Sequence, residues 1–277
     1  MTDPLASLPR YVEPEPGAPE VRLPGGNVGG AMRVGRTVRR PTGPWTPAVH
    51  ALMTHVRERG LDGVPEPLGI DAQGREVLTF LPGVVVDLAE VTDARLASGA
   101  AWLARYHAAV ADFRPGSVTW RLTTHDLGPD EIVCHHDATM YNMLVADPRA
   151  DDVVGVVDWD VAGPGVPLDD LAILAWSGVP LYALPAPGEV ARRLRLLTDA
   201  YAGACARLGT GPAPGAADVA RHVTTRMTAA TDRIAAGQAA GDEGMLNLAR
   251  VGEPARTRAQ VATWTHALPD VLALLPR

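Results

Sequence analysis

Apolar positions along the chain follow two different periods. Over 46–59, Val49, Leu52, Met53 and Val56 recur at helical spacing, with Thr46 as the N-cap, Pro47 at the first helical position and Gly60 as the stop. This predicts one short helix. On either side the period is that of strands. Val21 to Arg40 alternates β-like runs with glycine, a glycine-rich hairpin turning at Gly35-Arg36, and 68–70 and 76–81 predict two strands about the turn Asp71-Ala72-Gln73-Gly74.

Beyond Gly83 the helical period takes over. Leu96, Leu103 and Val110 lie seven apart with Trp102, Tyr106 and Phe113 on the same face, and further helices are predicted near 168–177, 188–207, 215–239 and 254–274. A compact β section, Ile132 to Asp158, lies between them. Residues 1–19 hold five prolines without periodicity and read as an extended arm, free or lying on the body.

Composition narrows the chemistry. All 25 basic residues of the 277 are Arg, so Schiff-base lysines and the GxxxxGK[ST] phosphate loop are excluded. A net charge of −7 without a basic run offers no footprint for nucleic acid or for a membrane surface. The longest uncharged stretch, 171–188, contains Pro180, Pro185 and Pro187 and reads as buried core rather than a membrane span. The N-terminus lacks the pattern of a secretion signal, and Cys134 and Cys205 stand 71 apart without CxxC, so two reduced thiols in a cytoplasmic protein are expected.

The β section holds the chemistry. Its sequence, Cys134-His135-His136-Asp137-Ala138-Thr139-Met140-Tyr141-Asn142, contains HxDxxxxN between two apolar runs, and Asp158-Trp159-Asp160 follows a further strand. With three Asn in the chain, such a motif arises by chance on the order of 0.01 times. Phosphoryl transfer needs a carboxylate for the hydroxyl proton, an amide oxygen and a second carboxylate on Mg²⁺, and a positive group on the phosphates. A zinc site at Cys134, His135 and His136 fails because neighbours along a strand point to opposite faces. No GxSxG or GxGxxG is present.

These residues resemble the aminoglycoside phosphotransferase-like family of kinases, with HGDxxxxN followed by an IDW or IDF element. Within it they look most like actinobacterial phosphotransferases related to trifolitoxin immunity proteins. The resemblance implies an α+β, bilobal protein-kinase-like fold: an arm at 1–19, a small β-rich N-lobe at 20–83 and a large, mainly helical C-lobe at 84–277. It further implies Asp137 as catalytic base, His135 as the brace of the catalytic loop, and Asn142 and Asp158 as metal ligands. Gly25, Gly26, Gly29 and Gly30 would cover the phosphates of ATP or GTP, and Thr79, Phe80 and Leu81 would form the hinge that meets the base.

Three departures from that pattern stand out. The strand lysine is replaced within Thr37-Val38-Arg39-Arg40, where alternation puts Val38 and Arg40 on the nucleotide face and turns Arg39 outward. The helix that should supply its glutamate partner has no acid between Thr46 and Arg57, leaving His50 as a weak stand-in. His136 replaces a glycine and is expected to narrow the substrate mouth. For Asp160 and Asp170 capping is favoured over catalysis.

The expected activity is Mg²⁺-dependent transfer of the terminal phosphate to a hydroxyl of a small molecule or peptide-like natural product. The alternative is a non-catalytic nucleotide- or ligand-binding protein of immunity or resistance type on the same fold. Residues 1–174 carry 14 Arg against 24 acids and the remainder 11 against 8. A helical region with Arg192, Arg193 and Arg195, and with Trp176, Tyr182 and Trp264 as apolar surface, predicts a neutral, anionic or aromatic acceptor rather than a polycation.

Overall fold

A five-stranded antiparallel sheet forms the N-terminal part of the computed structural model, which describes residues 4–13, 17–23 and 30–275. Its strands are β1 (Glu20–Arg22), β2 (Met32–Val34), β3 (Thr37–Arg40), and, after helix α1 (Thr46–Glu58), β4 (Pro67–Ile70) and β5 (Glu76–Thr79). They are ordered β1-β2-β3-β5-β4, so β3 lies at the centre, and the register sets Arg40 opposite Glu76. α1 buries Val49, His50, Leu52, Met53 and Val56. Its Thr46 hydroxyl accepts the Gly43 N–H at 3.0 Å instead of capping the helix, and Trp45 occupies the cap position.

The C-terminal part begins with β6 (Val84–Val85) and α2 (Asp93–Val110), then runs through β7 (Ile132–Cys134), β8 (Met143–Val145), β9 (Val153–Val156) and β10 (Gly163–Gly165). The helices α3 (Pro167–Gly178), α4 (Pro187–Leu208), α5 (Ala216–Ala240), α6 (Glu243–Ala249) and α7 (Ala255–Leu272) complete it. β6, β8 and β9 form one small antiparallel sheet, and β10 pairs with β7. Four helices fall where the sequence predicts them, while α6 does not; Asp242 caps it by accepting the Met245 N–H at 3.0 Å.

α2 is the central post. Trp102, Leu103, Tyr106 and Val110 are buried, and Trp102 and Tyr106 meet the indole of Trp159 edge-on at 6.3 and 5.2 Å. Both cysteines are buried free thiols, and among the described residues no helix is long and apolar enough to cross a membrane.

The arm lies on the body. Its described part begins with a 3₁₀ turn at Pro4–Ser7, and Ile70 then accepts the Tyr11 N–H and donates to Pro9, both at 2.8 Å. This corrects the expectation for Arg39. The side chain is turned away from Arg40, as strand alternation requires, yet it is only 2% exposed, because the arm covers that face. Arg39 pairs with Glu13 and, at 3.4 Å, with Asp71, and stacks over the Tyr11 ring.

Removing Arg39 takes away the partner of Glu13 and the cation stacked on Tyr11 and empties a fully buried volume, while Asp71 keeps Arg75 at 2.8 Å. Arg39→Ala is therefore expected to lower the free energy of unfolding by about 3 kcal/mol, read from the urea midpoint at unchanged slope.

Candidate functional site

A buried carboxylate shapes the loop after β7. Asp170, in the first turns of α3 and 0% exposed, accepts the backbone N–H groups of His135 at 2.9 Å and His136 at 2.7 Å. It also meets His107 Nε2 on α2 at 3.1 Å, and His107 Nδ1 meets the Tyr201 hydroxyl on α4 at 2.8 Å. Burial works to raise its pKa, but the His107 hydrogen bond and the nearby histidines outweigh burial and hold it below the usual carboxylate range. The expected capping role is not what Asp170 performs: it fixes the loop after β7 rather than capping the helix.

His136 adopts φ 63°, the left-handed region that favours glycine. Its ring does not project as a lid but turns onto the Pro164 carbonyl of β10, 3.0 Å from Nε2. Burial first, then the Arg226 charge, depress its pKa to about 4, so the ring is neutral at pH 7. His135 is fully buried against Trp159, ring centroids 4.5 Å apart, and its Nδ1 accepts the Asp137 N–H at 3.3 Å.

Asp137 is half-buried at the tip of this loop. Asn142 Nδ2 donates to its carboxylate and to its backbone carbonyl, both at 2.9 Å. The neighbouring Tyr141 side chain also acts to lower the Asp137 pKa, a partner hidden in the variable positions of the motif. Burial, then the neighbouring Asp158 charge, push the Asp137 pKa up to about 8, against the Asn142 bond and the Arg226 charge. The Val157 N–H donates to the Asn142 carbonyl at 2.9 Å, which brings the end of β9, and with it Asp158, beside the loop. Asp158 itself has φ 68°. Trp159, anchored by its Nε1–H on Val156 O at 3.0 Å, fixes the segment from which Asp158 and Asp160 both reach Arg40.

Arg40 is the hub of the acids. Its guanidinium lies 2.6 Å from Asp158, 2.9 Å from Asp160 and 3.7 Å from Glu76. The acid missing from α1 is therefore found across the sheet: Glu76, 3% exposed on β5, takes His50 Nε2 at 3.0 Å on its other side. The cross-strand register from β3 to β5 was the signal that could have revealed it. Asp160 does not cap; it bridges Arg40 and, at 3.2 Å, Arg121. Burial raises its pKa against the pull of both arginines. Arg121, which no local sequence pattern singles out, stacks on the Trp45 ring at 4.6 Å and reaches Asp242 at 3.5 Å.

The outer parts of the expected site fare unevenly. Gly25, Gly26 and Gly29 lie outside the described residues, while Gly30 has φ 64°. Val38 is half-buried beside Leu78 in the ladder. In the expected hinge the N–H groups of Thr79 and Phe80 are already bound, to Glu66 O at 3.0 Å and Arg36 O at 2.8 Å, so neither amide is free for a base. Leu81 follows them directly. Arg192 pairs with Asp93 and Glu189, Arg193 donates to Val91 O and Arg195 to Leu274 O, so these three serve helix packing. Trp264 is fully buried and Trp176 packs on Tyr182, which withdraws the expected apolar acceptor surface.

Among the described residues no three His, Cys, Asp or Glu side chains form a metal cage. Mg²⁺ bound with a nucleotide needs only one or two protein oxygens, the phosphates and water supplying the rest. The Asn142 amide, which spends its N–H on Asp137, keeps its carbonyl oxygen, and Asp158 adds a carboxylate. That donor set fits a hard cation.

Comparison with known proteins agrees with this architecture. The model of the phosphotransferase enzyme family matches residues 118–204, the span that holds Asp137, Asn142 and Asp158. Over 195 residues, 66% of this chain and 74% of the relative, the chain is 31% identical to the trifolitoxin immunity protein of Rhizobium leguminosarum bv. trifolii. The fold is similar to that of an amicoumacin kinase solved with AMP-PNP and Ca²⁺, with a TM-score of 0.62 at 12% identity over 95% of this chain and 91% of the other. It is also similar to that of a choline/ethanolamine kinase family protein from Mesorhizobium loti, with a TM-score of 0.55 at 18% identity over 92% and 88%. A bilobal, kinase-like α+β fold and this degree of identity over most of a curated relative make the chain a member of the phosphotransferase enzyme family.

Proposed function

We propose that this protein is a Mg²⁺-dependent phosphotransferase that moves the terminal phosphate of ATP or GTP to a hydroxyl of a small molecule or peptide-like natural product. The observation that carries the reading is the junction of Asp137, Asn142 and Asp158. A half-buried carboxylate held by an amide stands beside a second carboxylate, with an arginine at its edge. The acceptor hydroxyl would attack the terminal phosphorus while Asp137 takes its proton, and the nucleoside diphosphate leaves. A carboxylate whose pKa lies near 8 is a stronger base, once ionised, than an ordinary one.

His135 and Asp170 act by holding Asp137, not by touching substrate. Mg²⁺, held by Asn142 and Asp158, would neutralise phosphate charge. Arg40 would exchange Asp158 for phosphate oxygens, which its planar fork can take two at a time. The lobes would then divide near residue 83, with the nucleotide between β3 and the loop after β7, and the two free thiols suit a cytoplasmic setting.

One observation favours a second reading. Arg40 lies 2.6 Å from the carboxylate proposed for the metal, an arrangement that would also serve a non-catalytic nucleotide- or ligand-binding protein of immunity type. Thermal shift by nucleotide with and without Mg²⁺ separates a nucleotide binder from a scaffold that binds none, and release of nucleoside diphosphate during phosphate transfer separates the phosphotransferase from a non-catalytic nucleotide binder.

Asp137→Asn is expected to cut turnover by about 10² to 10⁴ while nucleotide affinity stays within about twofold, by single-turnover kinetics and titration calorimetry. Wild-type turnover should rise about tenfold per pH unit up to a plateau above about 8, because the base form grows as Asp137 deprotonates. Since the folded chain holds a proton on Asp137 that the unfolded chain has released, ionising this group costs stability as pH rises from about 4 to about 8. Asp137→Asn should therefore melt higher than wild type at pH 9, and the gap should close towards pH 4.

Asp158→Ala should remove the Mg²⁺-dependent part of ATP binding, and Arg40→Ala should weaken ATP binding about tenfold or more; equal Mg²⁺ enhancement in Asp158→Ala would place the ligand elsewhere.

A further inference from the structure

The side of the catalytic loop away from Arg40 is faced by α5. Spacings of four and seven put His222, Arg226 and Arg233 on one face of that helix. Arg226 is 4% exposed, and Nη2 donates to the carbonyl of His136, the residue before Asp137, at 3.0 Å. Its Nε and Nη1 are buried without an acceptor, as is Nε of Arg233, and Arg233 makes no hydrogen bond or ion pair among the described residues.

Buried guanidinium N–H groups without an acceptor are costly, and a second cation nearby adds to the cost. The Arg233 pKa is depressed to about 10 by burial first and by the Arg226 charge next. The acid whose charge both feel is Asp169, but its oxygens are taken by His222 Nε2 at 2.8 Å and by the Val166 N–H at 3.0 Å. The protein thus buries Arg226 against the loop of its candidate base, with the Arg233 cation in the field of Arg226, and completes the hydrogen bonds of neither.

We propose that Arg226 and Arg233 form an anion subsite for the acceptor, which carries a carboxylate next to the hydroxyl that is phosphorylated. A carboxylate offers two oxygens to the unused N–H groups of the pair, and Arg226, tied to the His136 carbonyl, sets the distance from that anchor to Asp137. A polycationic acceptor would meet two arginines there and be repelled. The inference rests on the phosphotransferase reading for its reaction, but the binding it predicts is measurable without turnover.

The test is titration calorimetry of the full chain with glycerate and with its neutral amide, glyceramide, as probes, in wild type, Arg226→Gln and Arg233→Gln. AMP-PNP with Mg²⁺ is titrated into the same samples. Glycerate is expected to bind wild type at least about tenfold tighter than glyceramide, and Arg233→Gln to abolish that preference. Arg233→Gln loses no observed hydrogen bond, so it carries the test even if Arg226→Gln, which frees the His136 carbonyl, does not fold. Equal affinity for the two probes, or a preference that survives Arg233→Gln, overturns the subsite. Nucleotide binding without charge discrimination refutes the subsite alone, whereas charge discrimination without nucleotide binding supports the subsite and refutes the phosphotransferase reading.

Discussion

One fully buried carboxylate, Asp170, sets the geometry on which the site depends. A charge with no solvent must be satisfied by hydrogen bonds, and here the donors are two successive backbone N–H groups of the loop after β7 and an imidazole from α2. The loop cannot relax without orphaning that charge. His136 is thereby held in a left-handed conformation that a β-carbon disfavours, and Asp137 is turned towards Asn142. Because His107 continues to Tyr201, the same contact ties α2, α3 and α4 to the loop.

The second organising feature is the placement of charge around Arg40. The expected lysine-glutamate pair joins a strand to a helix; this chain has an arginine on the strand and its acid on the adjacent strand, with His50 alone contributed by α1. A cross-strand pair is fixed by the sheet ladder itself, so the position of α1 bears on Arg40 only through the imidazole. The guanidinium also spans more acceptors than an ammonium could, which is how one residue meets Glu76, Asp158 and Asp160 together.

Much of this was legible in the sequence because local patterns carried it. The strands about Gly35-Arg36 and Gly74, the four long C-terminal helices, and the segment from His135 to Asn142 were readable from period and motif spacing alone. What escaped depends on residues far apart in the chain. Glu76 matters because β5 pairs with β3, Arg121 because its loop crosses Trp45, and Arg226 because α5 packs under the loop after β7. Arg39 illustrates the limit: alternation gave its direction, but only the fold shows that the arm lies there. Arg192, Arg193 and Arg195 were over-read, since composition counts charge without showing that Asp93, Glu189 and helix-end carbonyls absorb it.

The arm gives β3 an asymmetry of load. Adjacent residues of one strand grip opposite partners: Arg39 holds Glu13 on the outer face while Arg40 holds Glu76, Asp158 and Asp160 on the other. The strand is the central member of its sheet, so any lateral shift imposed from outside is transmitted to the guanidinium within about one residue's rise, near 3.4 Å. A clip at the N-terminus that released Tyr11 from Ile70 and Glu13 from Arg39 would therefore be felt at Arg40 as well as at the surface. In this chain residues 4–13 belong, in effect, to the support of the strand that carries Arg40.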